Sequence, residues 1–94
     1  MIRREGESLI LEGPVTLDTV PGLASSAREH LHQGVRAIDF RGVTDVDSAA
    51  VALALDWVRY AAGNNASLHL QNLPQAMRNL AQLYGVSELL QAAV

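Results

Sequence analysis

The amino-acid sequence predicts a mixed α/β fold in which a sheet of about four strands carries helices mainly on one face. Short segments of β type alternate along the chain with segments whose apolar residues recur at helical spacing. Two strand segments alternate apolar and polar residues, as Asp39 beside Phe40 illustrates, so the second face of the sheet is expected to be wetter. Ninety-four residues are enough for one core, and we expect a single domain over residues 1–94.

The first two strands are expected at residues 8–12 and 15–17, on either side of Gly13 and Pro14. Glycine followed by proline is a signal for a tight turn between two β-type segments. The dipeptide therefore predicts a hairpin that joins these two strands.

The first helix is expected to begin after Asp18 or Thr19, either of which can cap it, with Pro21 in its first turn and Gly34 at its end. The segments that follow continue the alternation of strands and helices. They are a strand at residues 36–40, a helix at residues 48–62, a strand at residues 67–71, a helix from Pro74 to Gly85 and a short helix capped by Ser87.

Polar chemistry is concentrated where the third predicted strand turns into the second helix. Asp45 and Asp47 form an acidic loop, and Ser48 stands at the start of the helix, followed by small residues. A serine at the N-cap accepts a hydrogen bond from an orphan backbone N–H of the first turn. We therefore predict that Ser48 caps this helix and that the loop is a recognition tip rather than a catalytic centre.

The second helix is predicted to bury one face and to expose another. Helical spacing gives a core stripe at Val51, Leu55, Val58 and Ala62. A different face carries the small and charged residues Ala49, Ala52, Asp56, Arg59 and Gly63. Two interpretations of that face remain open: a solvated surface with an Asp56–Arg59 ion pair, or a flat surface that another protein approaches closely.

Composition argues against several classes of function. All seven basic residues are arginines, scattered along a chain of net charge −3, so no nucleic-acid partner is expected. His30 and His32 fall on different sides of a helix and the chain has no cysteine, so no metal site is expected. No local motif ties a histidine to Ser48 and no glycine-rich phosphate loop is present, so we expect neither enzymatic activity nor a cofactor.

Hydropathy bears on the cellular location. The longest apolar segments fall short of the roughly 20 residues that a membrane span needs, because Asp56 and Arg59 interrupt the richest one. No apolar region follows the charges of the first residues, so no signal peptide is expected. We expect a cytoplasmic protein without direct membrane insertion.

Three segments resemble the STAS domain family. They are Asp-Ser-Ala-Ala-Val-Ala-Leu-Ala-Leu at residues 47–55, Leu-His-Leu-Gln-Asn-Leu-Pro at residues 68–74 and Leu-Ala-Gln-Leu-Tyr-Gly-Val at residues 80–86. The order of strands and helices is also similar to that family, which includes anti-sigma factor antagonists. The end of the third helix and the single hydroxyl after Asp47 resemble the small stand-alone STAS subunits of Mla-type phospholipid-trafficking ABC transporters.

The resemblance implies a STAS-like fold and a non-catalytic module that binds a protein. Its partner would be the ATPase subunit of a phospholipid-transport ABC transporter, which it would stabilise or regulate, peripheral to the inner membrane. The partner-binding residues implied in this way, together with the exposed helix face, are Asp45, Asp47, Ser48, Ala49, Ala52, Asp56 and Arg59.

An anti-sigma factor antagonist that binds a kinase-type anti-sigma factor is the alternative function. In such antagonists the helix is entered by Asp, two hydroxyl residues and Gly, and the second hydroxyl is phosphorylated. Here Asp47 matches the acidic position and Ser48 the first hydroxyl, whereas Ala49 and Ala50 stand at the acceptor and glycine positions. The resemblance thus implies that the usual phosphate acceptor is missing.

Overall fold

The computed structural model describes residues 2–64 and 66–91, which form four strands and four helices. In chain order these are β1 (Ile2–Glu5), β2 (Ser8–Val15), α1 (Val20–His32), β3 (Ala37–Val46), α2 (Ser48–Gly63), β4 (His69–Gln71), α3 (Gln75–Leu83) and α4 (Ser87–Gln91). The strands lie side by side in chain order, with β1 antiparallel to β2 and with β2, β3 and β4 parallel. The predicted mixed sheet of about four strands is confirmed.

The hairpin predicted at Gly13 and Pro14 is wrong, because both residues lie inside β2. The hairpin instead joins β1, which the sequence analysis did not predict, to β2 through Gly6, whose φ of +60° suits glycine, and Glu7. Proline has no backbone N–H to donate. It is therefore tolerated in a strand at positions where no neighbouring strand would accept that hydrogen bond. The described part of β1 ends opposite Leu11, so Pro14 interrupts no ladder on that side.

The core lies between the sheet and the helices. Alternate residues of the central strands, such as Leu9, Ile38 and Phe40, pack in one cluster with side chains from all four helices. Trp57 of α2 is fully buried in this cluster, with its ring centroid 6.5 Å from that of Phe40. The opposite face carries surface ion pairs, including Arg3 with Glu5 at 3.1 Å. The helices therefore cover one face of the sheet, as the alternation predicts.

Asp39 lies on the wetter face but is only 6% exposed. Its Oδ1 accepts hydrogen bonds from the backbone N–H of Arg41 at 2.8 Å and from the side-chain amide of Asn72 at 3.0 Å. The Arg41 guanidinium lies 3.8 Å from Oδ2. A buried carboxylate needs such partners because its desolvation is otherwise unfavourable. Asp39 thus ties β3 to the turn that follows β4.

A bulge interrupts the pairing of β2 with β3 in this region. Ile10 pairs with Asp39 and Glu12 pairs with Gly42, so β3 has one more residue than β2 between these two pairs. The strands approach so closely here that a Cβ on Gly42 would lie 2.7 Å from the backbone oxygen of Leu11. Only glycine fits this position without a backbone shift.

We predict that Gly42→Ala lowers the free energy of unfolding by about 1–3 kcal/mol, since the backbone must move to admit the methyl group. Gly22→Ala is the matched control, because a Cβ at this exposed helical position meets nothing within 4 Å. The control should be neutral or stabilising by up to about 1 kcal/mol. Urea denaturation of both variants is the measurement. Equal stability of Gly42→Ala and Gly22→Ala would contradict the close approach of Gly42 to the backbone of Leu11.

Candidate functional site

The predicted acidic loop is only partly a loop, because Asp45 lies within β3 and only Asp47 stands between β3 and the start of α2. Asp47 has an extended backbone, with φ −134° and ψ −169°, and its Oδ1 accepts a hydrogen bond from the backbone N–H of Ala49 at 2.9 Å. Asp47 is therefore the N-cap, and Ser48 is the first residue of the helix. The prediction that Ser48 caps α2 is wrong, because the carboxylate one position earlier already takes that role.

The second carboxylate oxygen of Asp47 holds a different part of the chain. Oδ2 accepts a hydrogen bond from the backbone N–H of Leu17 at 3.0 Å, and Leu17 lies in the loop between β2 and α1. One side chain thus links this loop to the first turn of α2. The side chain of Leu17 itself remains 74% exposed.

Hydrogen bonds within the loop that carries Leu17 also stabilise its conformation. The hydroxyl of Thr19 accepts a hydrogen bond from the backbone N–H of Thr16 at 3.0 Å and lies 3.0 Å from the carbonyl oxygen of Pro14, to which it can donate. Thr19 occupies the N-cap position of α1 without a side-chain capping bond to that helix. Short-range bonds of Thr19 therefore join the two ends of the loop, and Asp47 binds it at Leu17 between them.

Leu17, which the sequence analysis missed, is joined to the predicted site residues through its bond to Asp47. Ser48 and Asp45 are exposed, and Ala49 is half-buried. The oxygen of the Thr44 hydroxyl lies 3.4 Å from Oδ2 of Asp45, within reach of a weak hydrogen bond. We name the set Leu17, Asp45, Asp47 and Ser48 the tip.

The outer face of α2 is arranged differently from the predicted ion pair. Asp56 pairs with Arg28 of α1, whose guanidinium nitrogen lies 2.9 Å from each carboxylate oxygen and whose cationic carbon lies 4.9 Å from the centre of the Tyr60 ring. Arg59 has no salt bridge among residues 2–64 and 66–91 and is exposed. Asp56 is therefore already used to hold α1 against α2.

The buried side of α2 is also rotated from the predicted stripe. Val51 is buried as predicted, but Leu55 and Val58 are only partly buried and Ala62 is exposed. The remaining buried residues of the helix are Ala50, Leu53, Ala54, Trp57 and Ala61. Contacts with α1 on one side and with α3 and α4 on the other bury more than one stripe, so helical spacing alone could not locate the centre of the buried face. Ala52 and Gly63 are exposed, as the sequence predicts for that face.

A metal site and a membrane-spanning helix are two further features to look for in the described part of the chain. No group of three or more His, Cys, Asp or Glu side chains there is close enough together to hold a metal ion. None of the described helices has the length and apolar character needed to cross a membrane.

The fold and the tip define a STAS-type domain. The chain belongs to the family described as "Mlab, STAS domain", whose sequence model matches residues 1–91. Among solved structures, the unphosphorylated anti-sigma factor antagonist SpoIIAA has a similar fold, with a TM-score of 0.66 and 22% sequence identity over 88% of this chain and 81% of that one. No significant match is found among curated proteins. STAS domains are generally non-catalytic modules that bind protein partners.

The two hydrogen bonds of Asp47 indicate that this residue, rather than Ser48, stabilises the site. Asp47→Ala should lower the free energy of unfolding by about 1–3 kcal/mol, because it removes both the helix cap and the bond to the Leu17 loop. Ser48→Ala should change it by less than about 0.5 kcal/mol, because Ser48 is exposed and does not cap the helix. Denaturation curves measure both effects, and a larger loss for Ser48→Ala would restore serine as the cap.

Proposed function

We propose that the protein is the small accessory STAS subunit of a phospholipid-transport ABC transporter. In this role it binds the ATPase subunit of the transporter and regulates or stabilises it. The membership of the chain in the "Mlab, STAS domain" family supports this assignment. The protein would then lie in the cytoplasm, peripheral to the inner membrane through its partner, and would itself catalyse no reaction.

The carboxylate of Asp47 is the observation that carries the proposal. By bonding both Ala49 and Leu17, it holds an exposed leucine beside the first turn of α2 before any partner arrives. A contact that is already ordered loses less conformational entropy on binding. The tip would therefore act as the primary contact, with Ala49, Ala52 and Arg59 on α2 at its side. Asp56 would support this face by fixing α1, through its bond to Arg28.

The alternative function is that of an anti-sigma factor antagonist, the class of protein to which the structurally similar SpoIIAA belongs. The likeness at 22% identity concerns the fold alone. Ala49 stands where the resemblance places the phosphate acceptor of the antagonists, and alanine has no hydroxyl to accept it. The transporter assignment is therefore preferred.

Leu17→Ala should weaken binding to the purified transporter ATPase about tenfold to a hundredfold, since burial of one leucine contributes about 1.5–3 kcal/mol. Leu83→Ala is the control, because Leu83 is equally exposed, at 76%, but ends α3. Both variants should keep the melting temperature of the wild type, because each removes an exposed side chain. Calorimetric titration measures the affinities.

Two results would count against this assignment. Equal affinity of wild type and Leu17→Ala would remove Leu17 from the interface. If the wild-type protein does not bind the ATPase at all, the transporter assignment itself is wrong.

The absence of a hydroxyl at Ala49 allows a test of the alternative function, that of an anti-sigma factor antagonist. Incubation of the protein with an anti-sigma factor kinase and ATP should leave its intact mass unchanged, because Ala49 carries no hydroxyl. Ser48→Ala is the control for transfer to the neighbouring residue. A stoichiometric gain of one phosphate on the wild type, lost in Ser48→Ala, would favour the antagonist function.

A further inference from the structure

The edge of β3 that faces β4 is only partly paired. β3 has ten residues, but β4 pairs with only three of them, Ala37 to Asp39. On its other edge β3 pairs with β2 as far as Val46. Within the described residues, no strand lies beside residues 42–46 on the β4 side. A strand edge of this kind presents backbone groups that can pair with another chain.

A groove runs along this free edge. Its walls are residues 43–46 of β3 together with Pro74 and Ala76 at the start of α3, and its volume is about 200 Å³. Sites for small molecules typically measure about 300–1,000 Å³, so this groove is small for such a ligand. It suits one or two side chains of a peptide. Asp45 is the charged residue of its lining.

We propose that an extended segment of the protein partner adds a short strand to the free edge of β3. The backbone of that segment would pair with residues 42–46, and a small apolar side chain would enter the groove beside Ala76. A lysine or arginine of the segment would meet the exposed carboxylate of Asp45. This mode of recognition takes its affinity from main-chain hydrogen bonds and its specificity from alternate side chains.

The position of the groove supports a partner that also contacts the tip. Val46 lines the groove and immediately precedes Asp47, so the two surfaces are continuous. The inference therefore rests on the proposed function and names the form of the partner segment. It also accounts for Asp45, whose carboxylate has, among residues 2–64 and 66–91, only the weak bond with its neighbour Thr44.

A second copy of this chain is a poor candidate for the added strand. The longer free edge strand that the chain offers is β1, with the sequence Ile-Arg-Arg-Glu. Its two arginines are already engaged within the chain, since Arg3 pairs with Glu5 and Glu12 and Arg4 donates to the carbonyl oxygens of Gly6 and Gln33. We therefore assign the groove to a different protein, with an extended, weakly basic segment.

Hydrogen exchange tests the proposal directly. The wild-type protein is bound to the purified transporter ATPase, and exchange of its backbone amides is compared with that of the free protein. We expect amides within residues 42–46 that exchange rapidly in the free protein to be slowed at least about tenfold in the complex, because strand addition gives them partners. Amides of α3 beyond its first turn should be unaffected.

A pair of variants supplies the second measurement. Ala76→Trp places a large ring in the groove from an exposed position of α3, and it should lower the affinity for the ATPase about tenfold or more. Gln82→Trp adds the same ring at an exposed position of the same helix outside the groove and should bind like the wild type. Equal melting temperatures establish that both variants fold.

The possible results separate the two proposals. Protection of residues 42–46 together with weaker binding by Ala76→Trp supports strand addition. Tight wild-type binding without this protection, and with full affinity of Ala76→Trp, overturns strand addition but leaves the transporter function in place. Failure of the wild type to bind the ATPase overturns the proposed function, and strand addition by that partner falls with it.

Discussion

The carboxylate of Asp47 joins the two loops on which the arrangement of the tip depends. Its two oxygens accept one N–H from α2 and one from the loop before α1, 30 positions away in sequence. An asparagine at this position has a single accepting oxygen, which the two N–H groups would have to share. Because the same carboxylate caps α2 and binds the backbone of Leu17, one half-buried side chain holds these two parts of the surface together.

A second carboxylate, that of Asp39, is held by hydrogen bonds on the face of the sheet away from the helices. No helix covers Asp39, yet its carboxylate is shielded by the chain around it and bonded to the turn after β4. Asn72, which donates that bond, has a φ of +54°, a conformation that asparagine adopts more readily than most residues. Asp39 thus connects the region of the bulge at Gly42 to the Asn72 turn that follows β4.

Local pattern predicted the helix at residues 48–62 to within one residue of α2. For the central strands local pattern was less accurate, since it divided β2 at Gly13 and Pro14 and ended the next strand at Phe40, whereas β3 extends to Val46. It was not sufficient for β1, because the edge strand Ile-Arg-Arg-Glu has no apolar alternation and is defined by its pairing with β2. Ser48 and Asp47 are both good capping residues, and the choice between them depends on backbone angles. Leu17 was not among the predicted site residues, because its position depends on a hydrogen bond to Asp47, which is distant in sequence. The assignment of the tip residues to partner binding remains a prediction.

The position of Trp57 has an optical consequence. It is the one tryptophan of the chain, it is fully buried, and within the described residues its indole nitrogen has no hydrogen-bond partner. An indole in such apolar surroundings emits at short wavelength and moves to longer wavelength when water reaches it. The intrinsic fluorescence of this protein therefore reports the integrity of its interior, while a ligand that touches only the solvent-facing end of α2 leaves the signal unaltered.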